Sequence, residues 1–194
     1  CMARLRQHSL ALTAYSSDSD GFYPPQHPHP FGNNPYSFRL SFYEALTPHY
    51  GLTPEMWRDV NWGQGGFTTK AYDDRPGGRY VAGYLILAGG NGYPTWKPKY
   101  NGYMRRIDGR WMQQARSTHP DEVPLVGDYL QDGRYSTWVP HSRGGGFHRG
   151  SGTMVDEVCR TANHLFEDGH VAARPVSENG IVRHDAGWGY YYWW

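Results

Sequence analysis

The sequence contains no apolar run of 18 residues or more, so no segment of it reads as a membrane-spanning helix. It also lacks an apolar h-region with a cleavage site near its start, which excludes a secretory signal peptide within the given residues. A start at Cys1 rather than Met is what a processed chain shows, so the missing segment does not argue for the cytoplasm. Cysteine is nearly absent: Cys1 and Cys159 cannot hold a structural zinc by themselves and allow a single disulfide. Charge is scarce and balanced, with 19 Lys and Arg against 18 Asp and Glu, leaving no global footprint for nucleic acid or an anionic membrane. No repeat of 20 to 50 residues is visible either. What the chain has in excess is loop and ring: 25 glycines and 14 prolines make up a fifth of it, and 16% of residues are aromatic. A helical bundle avoids that much Gly and Pro, and a disordered tail avoids the aromatics. With 194 residues the expectation is one loop-rich domain of short strands and few helices.

Met2, Leu5, Ser9 and Leu12 recur at spacings of three and four, which predicts an amphipathic helix from Met2 to about Ser16, stopped by the polar run to Gly21 and by Pro24-Pro25. Such a short helix must dock on something or continue a longer one. Residues Gln26 to Pro35 read as a Pro-rich surface loop. A second helix is predicted over Ser37 to Leu46, and Thr53-Pro54-Glu55 reads as an N-cap opening a short turn through Trp57. Arg79 to Ala88 is the best strand candidate, with weaker ones at Asn101 to Ile107, Val123 to Leu130 and Ile181 to Trp194. The strongest hairpin signal joins Asn163 to Glu167 and His170 to Ala173 through Asp168-Gly169, read as a type I′ turn.

Two of these segments resemble a known family. In the opening CMARLRQHSLALTAYSSDSDGFYPP, the positions Cys1, Leu5, Arg6, Gln7, Tyr15, Asp18, Asp20, Gly21, Tyr23 and Pro24 match the segment after the apolar stem in prepilin-type proteins, the type IV pilin-like and type II secretion pseudopilin family with an H-X9-DG region. Near the other end, Asn163, Leu165, Phe166, Asp168, Gly169, His170 and Val171 match that family's Asn-x-Leu-Phe-x-Asp-Gly-His-Val. Two departures stand out: the family's histidine ten positions before the Asp is Val158 here, with His148 the nearest equivalent beyond an insertion around residues 151–160, and the family's Cys-Pro is missing near Trp57 to Asn61. The resemblance implies an α+β fold in which an N-terminal stem helix packs on an antiparallel sheet of about four to six strands with long Gly/Pro-rich loops. Residues 1–16 would be the C-terminal half of the stem and 17–194 the headgroup. An upstream apolar helix of about 20 residues would anchor the precursor in the inner membrane, before assembly into a periplasmic pseudopilus or cell-surface filament. The implied function is structural, through noncovalent contacts with other pilin or pseudopilin subunits, with Met2, Leu5 and Leu12 as the assembly face of the helix.

Other readings compete residue by residue. His27 with His29, or His148 with His164 and His170, invite a metal, but no HExxH or facial-triad spacing is present. Asp18-x-Asp20-Gly21 resembles the start of a calcium loop without its later ligands, so calcium is the one cofactor considered. Ser142 and Ser151 sit in HSRGGGFHRGSG without a nucleophile elbow, and Arg143 and Arg149 there lack a P-loop, so no catalytic residue is assigned and no enzyme is expected. In an oxidising compartment a Cys1 to Cys159 disulfide would close almost the whole chain and stabilise it by about 4 to 5 kcal/mol at most. Lipoprotein acylation of Cys1 is the alternative for that residue. The aromatic surplus, with Trp188, Tyr190, Trp193 and Trp194 at the C-terminus, fits a subunit interface or stacking on sugars; an extracellular carbohydrate-binding module is therefore the alternative function.

Overall fold

The structure is a computed structural model describing residues 2–21, 23–24, 37–58, 70–72, 79–86, 88, 106–107, 110–111, 124–133, 136–139, 147–149, 155, 159–176, 183–185 and 190–193. Helix α1 spans Met2–Asp18. Its stop is local chemistry: the Gly21 N–H reaches back to the Ser16 carbonyl at 2.8 Å, while Asp20 and Gly21 take positive φ values of 53° and 82°. This is the Schellman arrangement, with Asp in the left-handed position that it tolerates better than most residues. Asp18-x-Asp20-Gly21 is thus accounted for as a helix terminator.

The buried face of α1 is Leu5, His8, Ala11, Leu12 and Ser16. Leu5 and Leu12 of the predicted stripe are therefore on the buried face, Ser9 is half-buried at its edge and Met2 is off it. Leu5 and Leu12 lie within the chain's own core, whereas Met2 is 42% exposed and Leu10 is 64% exposed. Met2, Leu5 and Leu12 do not form one outward assembly face, because sheet residues already cover the two leucines.

Strand β1 (Ser37–Arg39) precedes α2 (Leu40–Leu46), so the predicted second helix loses its first turn to a strand. The reason is tertiary: Ser37 to Arg39 pair antiparallel with β3 (Arg79–Val81), whose other side pairs with β2 (Lys70–Tyr72). A 3₁₀ turn follows at Pro54–Trp57, with Thr53 extended before it and no side-chain cap bond. The predicted strand over 79–88 is broken at Ala82-Gly83, where the Gly83 N–H donates to the Trp57 carbonyl at 2.8 Å instead of to a neighbouring strand. Its second half, β4 (Tyr84–Ile86), enters a different sheet.

That sheet has four antiparallel strands in the order β12-β11-β7-β4, where β7 is Pro124–Asp128, β11 is Thr161–Phe166 and β12 is Val171–Pro175. The pairs Leu165↔Val171, Leu165↔Val126 and Ile86↔Val126 place these side chains on one face, and α1 packs against it. Leu5 and Leu12 meet Phe42, Leu46, Trp57, Tyr84 and Leu165 there in the main core. At coarse level the fold is therefore α+β, with an N-terminal helix on a four-stranded antiparallel sheet. Beyond Tyr129 and Leu130 the chain passes into a five-stranded sheet ordered β10-β9-β8-β14-β13, formed by β8 (Gln131–Gly133), β9 (Ser136–Trp138), β10 (Phe147–Arg149), β13 (Arg183–Asp185) and β14 (Tyr190–Trp193). The expected C-terminal strand is thus a pair, β13 with β14. A two-stranded ribbon joins β5 (Arg106–Ile107) to β6 (Arg110–Trp111). A second, smaller core gathers Leu130, Val139, Val155, Cys159, Ala162 and Val176. Among the described residues no helix is long and apolar enough to cross a membrane.

Candidate functional site

The two segments that carry the sequence resemblance meet at one joint, between α1 and the tip of the β11–β12 hairpin. The hairpin forms where predicted, but its turn is different. The Gly169 N–H donates to the Phe166 carbonyl at 2.9 Å, and the Phe166 N–H donates to the His170 carbonyl at 3.0 Å. Only Gly169 has positive φ, at 88°. A type I′ turn needs positive φ at both central residues, so this is a type I turn closed by a glycine bulge. Asp168 keeps ordinary φ because its carboxylate is used locally: Oδ1 accepts from the His170 N–H at 3.0 Å and from His170 Nδ1 at 2.6 Å. Gly169 also lies close against the helix. A Cβ built there would lie 3.2 Å from Ser9 Oγ.

His170 stacks on Phe166 with centroids 4.4 Å apart and planes 3° from parallel, and the Arg174 guanidinium lies 4.9 Å from the same ring centre. Fixed by the carboxylate at Nδ1 and by the ring on its face, His170 has one orientation, and its side chain is 36% exposed. His164, two residues back along the same strand, is fully buried with its ring 6.3 Å from Phe166. It packs against its cross-strand partner Gly127, where a Cβ would meet the imidazole at 2.7 Å. A side chain at 127 would therefore force the His164 ring to shift. Burial holds the His164 imidazole down to about pKa 4, with the Asp128 charge opposing that shift. Asp128 extends the strand ladder by a side chain: its Oδ2 accepts the Asn163 N–H and Nδ2, each at 2.8 Å.

On the helix side of the joint, Tyr23 returns the chain into the main core after the α1 stop, and burial, then the Glu167 charge, push its phenol well above the ordinary value. Tyr15 packs its ring on Tyr50 at 5.4 Å, and the Tyr50 hydroxyl donates to Asp18 at 3.2 Å. His8 anchors the middle of α1: Nε2 donates to the Met56 carbonyl at 3.1 Å, and its ring meets the edges of Trp57 and Tyr84 at 4.7 and 5.5 Å. Burial lowers the His8 imidazole to about pKa 4, with the Met56 hydrogen bond opposing that shift. The Arg4 guanidinium caps the same seam by donating to the Arg58 carbonyl.

Most of the motif residues named from sequence thus have structural work. Leu5 is core, Asp20 and Gly21 stop the helix, Asn163 binds Asp128, and Phe166, Asp168, Gly169 and His170 build the hairpin tip. Gln7 is an exposed residue on α1. Of the histidines grouped as a candidate metal set, His164 and His170 flank Phe166, while His148 belongs to β10 in the other sheet. Among the described residues no group of three or more His, Cys, Asp or Glu is gathered as a metal ion requires. Cys159 carries a free, buried thiol that donates to the Thr161 carbonyl at 3.1 Å, and burial pushes it up to about pKa 11; Cys1, its suggested partner, lies outside the described residues. Trp188, Trp194, Ser142, Arg143 and Ser151 also lie outside them, and Tyr190 to Trp193 form a strand paired on both sides. Sequence reasoning missed His8, Gly127, Asp128 and Arg174. The signals available were weak ones: a histidine four residues before Leu12, a glycine within a strand, and an arginine at a spacing of four from His170.

No family model, no curated protein and no solved structure matches the chain.

Proposed function

We propose that the chain is the headgroup of a structural subunit of a type IV pilus-like filament or type II secretion pseudopilus, acting by noncovalent assembly and not by catalysis. The observation that carries this reading is the joint just described. The N-terminal and C-terminal segments that resemble prepilin-type proteins are some 150 residues apart in sequence, yet Gly169 lies against Ser9 and Tyr23 sits beside Glu167. A motif whose halves support each other is what a fold signature looks like, as opposed to two chance matches. The coarse architecture is compatible: the inner face of α1 is covered by the four-stranded sheet, and its outer face, with Met2 and Leu10 exposed, is left for neighbours.

In this reading an apolar stem upstream of α1 holds the subunit in the inner membrane before assembly, and the finished filament is periplasmic or at the cell surface. Its partners are other pilin or pseudopilin subunits. The test is fractionation of cells making the full-length protein with an epitope tag on the headgroup. The reading expects the tagged protein in the sheared-filament fraction together with other prepilin-type subunits. Recovery solely as a soluble monomer that binds glycans on an array, with binding abolished in Trp188→Ala, would instead establish the carbohydrate-binding alternative.

A further inference from the structure

We draw no further inference here: the strongest candidate, the outer edge of strand β12 in the four-stranded sheet, where Ala173, Arg174 and Pro175 are exposed and no described strand pairs, carries nothing because nothing in the structure shows what covers it.

Discussion

Acid should destabilise this protein well above the range in which surface carboxylates titrate, because two imidazoles are folded into its core in the neutral form. His8 and His164 are each fully buried and held at about pKa 4 against an ordinary 6.5. The sign follows from which state takes the proton. Between pH 6.5 and 4 the unfolded chain binds a proton at each histidine and the folded chain does not, so stability falls as pH falls and levels off below about 4. Each site contributes a slope of about 1.4 kcal/mol per pH unit. From pH 6.5 to 5 that is about 2 kcal/mol per histidine and about 4 kcal/mol for the pair, a large share of the roughly 5 to 15 kcal/mol that ordinary domains possess. Urea unfolding followed by far-ultraviolet circular dichroism at pH 7.5, 6.5, 5.5 and 5.0 reads this directly. His8→Gln retains a donor for the Met56 carbonyl and removes the titrating group, so it should halve the slope. If the slope between pH 6.5 and 5 is unchanged in His8→Gln, the burial argument for that residue is wrong.

Three further outcomes follow from the joint. Gly169→Ala must place a side chain at φ 88° and 3.2 Å from Ser9 Oγ, and should cost about 1 to 2 kcal/mol, visible as a lower melting temperature; an unchanged midpoint would contradict the close approach of hairpin and helix. Asp128→Ala leaves both Asn163 donors without their acceptor and should cost about 3 kcal/mol or more, with Asp128→Asn milder because one acceptor remains; equal stability of the two variants would sink that account. Cys159, buried and held at about pKa 11, should resist iodoacetamide at pH 8 until denaturant is added, and rapid labelling of the native protein would refute the burial assigned to it.

How much of this the sequence discloses differs by feature, and the differences have physical causes. Helix α1 is legible because its stop is local, set by Ser16 to Gly21 without help from the rest of the chain. The hairpin is legible for the same reason, since Asp168-Gly169 requires a tight turn, but the turn type depends on the Asp168 carboxylate capturing His170, which composition does not reveal. The face of α1 is legible in part: Leu5 and Leu12 are buried as their spacing suggests and Leu10 is exposed, but Met2 is exposed too, and the polar His8 and Ser16 share the buried face, which apolar spacing alone does not reveal. Ser37 to Arg39 and the break at Gly83 fail for a tertiary reason: each is decided by a partner far along the chain, Arg79 to Val81 in one case and the Trp57 carbonyl in the other. His8 and His164 were invisible as core residues because a histidine is judged polar until its surroundings are known. Gly127 was invisible because its purpose is to make room for one of them.

Immunogold electron microscopy of intact cells, using antibody raised against this headgroup, tests the subunit reading most directly. The account predicts gold particles in rows along surface filaments or along short periplasmic fibres. Label dispersed through the soluble fraction, with filaments unlabelled in the wild type, would contradict it.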